Sequence, residues 1–142
     1  MALFEHLGPE VLKDIMRLYI ADDNIEFAEF CAKVANQEGW QVSICADGTE
    51  LVDILKLEDT PALVIIDIQM PNIDGIEVID CLQAINRDLR LRFITGGPQS
   101  SALAARMIAD ARGYDVGRFL TKPLSVKKLR SILAEERVWE GS

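Results

Sequence analysis

Five polar residues stand at the ends of short apolar runs: Asp22 and Asp23 after Leu18 to Ala21, Asp67 closing Leu63 to Asp67, Thr95 closing Leu91 to Thr95, and Lys122 after Phe119 to Thr121. If those runs are parallel strands of one sheet, their carboxyl ends share an edge, and open parallel sheets bind ligands at that edge. Three carboxylates brought together there repel one another unless a hard divalent cation such as magnesium neutralises them. Magnesium uses few carboxylates and keeps waters, so a coordination position remains for a phosphoryl oxygen. Asp67 can then act as an oxygen nucleophile toward phosphorus. Lys122 adds a positive charge and Thr95 a hydroxyl for the phosphoryl oxygens. The chemistry these residues suggest is formation of an aspartyl phosphate.

The elements that must position them follow from hydrophobic pattern. Short apolar runs alternate with helix-period segments from Arg17 onward, which is the pattern of strands joined by crossover helices. Val42 to Cys45 supplies a fifth run, and Leu63 to Ile66 is continuously apolar, as a central strand covered on both faces requires. Phe27, Phe30, Cys31 and Val34 share a helix face that Gly39 ends; Leu51, Ile54 and Leu55 mark a helix beginning near Asp47. Ile76, Ile79 and Leu82 mark a third helix, residues 101 to 112 an alanine-rich fourth, and Val126, Leu129, Ile132 and Leu133 a fifth. The expectation is a domain over 17–136, an N-terminal extension over 1–16 with a helix starting at Pro9, and a tail over 137–142.

Composition narrows the function classes. The chain has 142 residues, 49% hydrophobic and 27% charged, enough for one domain with a core. A net charge of -8 repels a phosphate backbone, so direct nucleic-acid binding is not expected. The most apolar stretch, Ala62 to Ile66, is too short to span a bilayer, and a cytoplasmic location is expected. Cys31, Cys45 and Cys81 form no C-x-x-C pair and lie in apolar patterns, as buried thiols do.

Four motifs in order carry a resemblance to a known family: Ala21-Asp22-Asp23-Asn24, Ile65-Ile66-Asp67-Ile68-Gln69-Met70-Pro71 with Asp74-Gly75, Ile94-Thr95-Gly96, and Phe119-Leu120-Thr121-Lys122-Pro123-Leu124. The sequence resembles the receiver domains of bacterial two-component response regulators, of the chemotaxis-regulator kind. The resemblance implies an α/β, flavodoxin-like, doubly wound five-stranded parallel sheet of order 2-1-3-4-5 with five helices. It implies magnesium held by Asp22, Asp23, Asp67 and the backbone carbonyl of Gln69. It also implies a switch in which Thr95 moves toward the phosphoryl group and Phe119 rotates inward, with Lys122 on the phosphoryl oxygens and a cis bond before Pro123. The implied donor is a sensor histidine kinase or a histidine phosphotransfer protein. The implied output is a downstream protein or an output domain, met through the fourth helix, fifth strand and fifth helix, with a homodimer as a further option. Such a domain catalyses only its own phosphorylation and dephosphorylation.

Departures from the family pattern sharpen the reading. Gly96, Gly97 and Pro98 follow the switch threonine, which leaves the phosphoryl site open to water and predicts a short-lived acyl phosphate, with Gln69 and Gly97 setting the approach of the hydrolytic water. The span from Thr95 to Lys122 is longer than usual, with Gly113, Tyr114 and Asp115 as the extra loop. Ala102, Ala104, Ala105 and Met107 either pack a helix tightly on the sheet or support a partner contact. His6 reads as a solvated residue, and Trp139 as a core cap or a contact. The alternative function is a degenerate receiver that binds proteins without phosphorylation. A phosphatase would need an acid where Gln69 stands, and a flavin site would be repelled by Asp22 and Asp23.

Overall fold

The computed structural model describes residues 16–137. The N-terminal helix expected from Pro9, His6 and Trp139 lie outside the described residues. Within them the chain alternates strand and helix: β1 (Met16–Ala21), α1 (Ile25–Gln37), β2 (Trp40–Cys45), α2 (Gly48–Leu55), β3 (Ala62–Asp67), α3 (Gly75–Leu82), β4 (Leu89–Thr95), α4 (Gln99–Ala111), β5 (Asp115–Val116), β6 (Leu120–Thr121) and α5 (Val126–Glu136). The pairings are all parallel, in the order β2-β1-β3-β4-β5, and β6 also pairs with β4. The expected flavodoxin-like order 2-1-3-4-5 is therefore the observed one.

Every residue of β3 is buried, because helices cover both of its faces. Val64 and Ile66 face one layer, with Leu51 and Leu55 of α2, Val78, Ile79 and Leu82 of α3, and the alanines of α4. Leu63 and Ile65 face the other, with Ala28, Cys31 and Val34 of α1 and Leu129, Ile132 and Leu133 of α5. Local chemistry starts these helices. The side chains of Asn24, Asp47, Asp74 and Ser125 accept backbone N–H bonds at the first turns of α1, α2, α3 and α5. Gly39, at φ +91°, turns the chain out of α1 in the left-handed region that glycine tolerates.

Three expectations are corrected. The fifth strand is two short segments, and Phe119 lies just before β6 instead of inside a strand. The interruption, residues 117–119, begins at Gly117, where a Cβ would lie 2.6 Å from Arg92 Nε. The absence of a side chain there makes room for the guanidinium, while Gly117 still donates its N–H to Leu91 O at 2.9 Å. The loop between α4 and β5 is Arg112-Gly113-Tyr114, one residue earlier than expected; Asp115 already pairs with Arg90 in the sheet. Cys81 is half-buried, whereas Cys31 and Cys45 are buried and burial pushes both thiols up to about 12. On α4, Ala102 and Ala105 pack the core as tight-packing residues, Ala104 is half-buried, and Met107 is exposed with Leu103.

Candidate functional site

The parallel register sets the ends of β1, β3, β4 and β6 side by side. Ala21 pairs with Ile66, Asp67 with Ile94, and Thr95 with Thr121, so the residues leaving these strands emerge at one edge. Backbone bonds continue the ladder past the strand ends: Asp22 N–H donates to Cys45 O at 3.0 Å, Ile68 N–H to Ile94 O at 3.0 Å, and Lys122 N–H to Thr95 O at 2.9 Å. The positions of Asp22, Asp67 and Lys122 are thus fixed by main chain. The loop after Asp67 is held from below by Gly75, where a Cβ would lie 2.9 Å from Asp67 O and 3.0 Å from Ile68 Cα. Only glycine lets the start of α3 approach that closely.

Five of the residues singled out from sequence meet here. Asp22, Asp23 and Asp67 each bring a carboxylate oxygen to within 4.8 Å of the others. Asp22 and Asp67 are buried and Asp23 is exposed. Asp67 Oδ1 accepts the Gln69 N–H at 2.9 Å, and Asp67 Oδ2 accepts a bond from Lys122 Nζ at 3.0 Å. Asp22 Oδ1 accepts the Asn24 N–H at 2.8 Å. Lys122 Nζ also lies 2.8 Å from Asp22 Oδ2, so one ammonium is shared between the two buried carboxylates. Gln69 holds Asp67 through its N–H, and its side chain reaches toward Gly97, where a Cβ would lie 3.0 Å from Gln69 Nε2.

Thr95 is buried at the end of β4, and its hydroxyl oxygen accepts the Gly97 N–H at 3.0 Å, which leaves the hydroxyl hydrogen to donate. Phe119 is half-buried, packs against the core layer of α2, α3 and α4, and lines a cavity of about 440 Å³ with Arg92, Leu120 and Ile132. The Lys122-Pro123 bond is cis, as expected. One residue was not singled out: the ammonium of Lys122 sits 4.5 Å from the ring centroid of Phe27 in the first turn of α1.

Charge at the site is out of balance. Burial, aided by the nearby Asp22 charge, raises the Asp67 carboxyl above its usual range, against the Gln69 N–H and Lys122, which lower it. Burial works against the Lys122 ammonium, yet its two carboxylate neighbours outweigh that and raise its pKa. One ammonium thus serves a cluster of three carboxylates. A divalent cation fits this donor set, since it takes oxygen ligands and removes the repulsion.

The profile of the response regulator receiver domain matches residues 18–134. This chain belongs to that family. The receiver is 34% identical over 116 residues to the transcriptional regulatory protein TctD of Salmonella typhimurium, which covers 80% of this chain and 48% of TctD. It is 29% identical over 114 residues to the response regulator MprA of Mycobacterium avium, covering 80% of this chain and 47% of MprA. The chain spans about half the length of these curated relatives. Among solved structures, a response regulator from Colwellia psychrerythraea superposes with a TM-score of 0.73 at 22% identity, over 87% of this chain and 97% of that one. A response regulator from Burkholderia pseudomallei, solved with a phosphorylated aspartic acid, a calcium ion and citrate, gives 0.63 at 22% identity, over 85% and 72%. Both share the receiver's fold. Among the described residues, no helix is long and apolar enough to cross a membrane.

Proposed function

We propose that this receiver accepts a phosphoryl group on Asp67 and passes the event to a partner by a change of conformation. The observation that carries the proposal is the buried Asp67 carboxylate at the end of the central strand, with two further carboxylates within 4.8 Å and Lys122 Nζ at 3.0 Å. Magnesium would be held by Asp22, Asp23, Asp67 and the carbonyl of Gln69. When bound it would offset negative charge on the transferring group.

The chain's own residues do the rest. Asp67 Oδ forms the new bond to phosphorus while the donor's bond to that phosphorus breaks, and the donor leaves with the bonding electron pair. The Gln69 N–H orients Asp67 through the oxygen it already holds. Lys122 exchanges its carboxylate partner for phosphoryl oxygens, and the free Thr95 hydroxyl hydrogen donates to another. Drawing Thr95 inward vacates space beside β6, which Phe119 fills from its cavity; the two arrangements form a population shift biased by close to two added negative charges. The donor is a sensor histidine kinase or a histidine phosphotransfer protein. The output is a downstream protein or an output domain, reached through α4, β5, β6 and α5, and a homodimer through that face is compatible with the exposed Leu103 and Met107. The unit that carries this activity is 17–136, in the cytoplasm.

Intact mass after incubation with magnesium and acetyl phosphate tests the proposal. The expected result is a gain of one phosphoryl group that requires magnesium and is absent from Asp67→Asn. A wild type that gains nothing would leave a receiver that binds partners without phosphorylation.

A further inference from the structure

We propose that Phe27 is a positioning residue whose ring face holds the Lys122 ammonium at the phosphoryl site. The proposal rests on reading Lys122 as a ligand of the phosphoryl group, and goes beyond it by naming what keeps that flexible side chain in place.

Lysine carries its charge on a four-carbon stem with many rotamers, so a useful ammonium must be confined by its surroundings. Among the described residues it has three such neighbours: Asp22 Oδ2 at 2.8 Å, Asp67 Oδ2 at 3.0 Å and the Phe27 ring centroid at 4.5 Å. The ring distance lies well inside the range at which an aromatic quadrupole attracts a cation. The ring's own position is set by backbone. Phe27 N–H donates to Asn24 Oδ1 at 3.1 Å as the capping bond of α1, and the ring packs at 6.3 Å from Phe30. The motif that presents Asp22 and Asp23 therefore also fixes Phe27, four residues beyond Asp23.

The three neighbours are not equivalent during the reaction. Asp67 changes from a carboxylate to an acyl phosphate, so its hold on the ammonium changes at the moment the ammonium must engage phosphoryl oxygens. A bound cation would compete for Asp22 as well. The ring is indifferent to both events, because its attraction depends on neither carboxylate. It also takes no hydrogen bond away from the N–H groups that phosphoryl oxygens need. An aromatic ring in the first turn of α1 thus supplies a constant restraint where the ionic ones vary.

The test compares wild type with Phe27→Leu, which keeps apolar volume in α1, and Phe27→Tyr, which keeps the ring. Lysine ε-methylene NMR signals, with Lys122 assigned by its loss in Lys122→Met, report the ring contact without any phosphorylation. Phosphorylation by acetyl phosphate is timed alongside, so kinase docking plays no part. The proposal expects an upfield-shifted Lys122 signal that collapses in Phe27→Leu and persists in Phe27→Tyr. It expects phosphorylation roughly fivefold slower in Phe27→Leu, restored by Phe27→Tyr. In a Lys122→Met background Phe27→Leu should add no further slowing, since both substitutions remove one effect. An unshifted wild-type signal, a Phe27→Leu protein at the wild-type rate, or additive effects would each overturn it. A wild type that takes up no phosphoryl group would overturn the reading of the site instead, and the NMR signal alone would then decide whether Phe27 holds Lys122.

Discussion

Strand β4 runs between two charge clusters that are built on opposite principles. Near its start, Arg90 and Arg92 project toward α5, where the buried Glu136 accepts from Arg92 Nε and Arg90 Nε at 2.6 Å each, one guanidinium per carboxylate oxygen. Glu135 at 3.0 Å and Asp115 at 2.8 Å take further donors of the same pair. Beyond its other end, Asp22, Asp23 and Asp67 cluster around one lysine, whose single ammonium is shared by Asp22 Oδ2 and Asp67 Oδ2. Both clusters are largely buried, so dielectric alone does not distinguish them. Satisfaction does: in the first, each oxygen of the central carboxylate has its donor, and the cluster ties the end of α5 to the sheet. In the second, three carboxylates share one ammonium instead of two guanidinium groups, and that larger excess is what a cation would offset. The two clusters thus stand at the two ends of a single seven-residue strand.

Breaking the satisfied cluster should have the larger effect. Glu136→Gln removes the buried carboxylate between two guanidinium groups and leaves Arg90 with Asp115 and Arg92 with Glu135, both more exposed, so chemical denaturation should show a loss of about 2 kcal/mol from the weakened charged hydrogen bonds. Magnesium binding at the other end should persist in that variant as long as it is folded. A loss within the range of a surface ion pair would end the distinction between the clusters.

The unsatisfied cluster should respond in the opposite direction. The Asp67 carboxyl is raised mainly by burial, so its cost to stability is fully present above that raised pKa and is relieved as pH falls through it. Without magnesium, mild acidification should therefore stabilise wild type relative to Asp67→Asn, and near neutral pH Asp67→Asn should be at least as stable as wild type. The same protonation removes the nucleophile, so phosphorylation should slow over that pH window. A destabilised Asp67→Asn would mean that the Lys122 bond outweighs the repulsion, and that this end of β4 is structural too.

A smaller effect concerns access to the site. Gly97→Glu introduces a side chain beside Gln69, whose free end can move aside, and should obstruct the hydrolytic water. The acyl phosphate should then decay roughly threefold more slowly, about 0.7 kcal/mol on the barrier. An unchanged decay rate would remove Gly97 and Gln69 from the account of its lifetime.

The candidate site was legible in the sequence because strand ends advertise themselves: an apolar run followed at once by Asp22, Asp67 or Lys122 places the polar group at the sheet edge whatever the rest of the chain does. The satisfied end was not singled out, although Arg90-Leu91-Arg92 carries a signal, two cations on the same face of a central strand. Its partner, Glu136, lies on the inner face of α5, where an acidic residue in an apolar pattern marks a buried acceptor. The broken fifth strand was missed because Gly117 acts through a neighbouring strand, by the room it leaves for Arg92, and no local pattern reports that. Phe27 was read as one member of an apolar stripe, which it is; its contact with Lys122 arises only when residues 95 positions apart meet in space.

Asp67 as the phosphoryl acceptor can be tested at the level of the single residue. Borohydride reduces an acyl phosphate at an aspartate to homoserine, and peptide mass then locates the altered residue. Homoserine is expected at position 67 and nowhere else after treatment with magnesium and acetyl phosphate. Reduction at Asp22 or Asp23 would contradict it, as would an unmodified Asp67 in a protein whose intact mass had risen by one phosphoryl group.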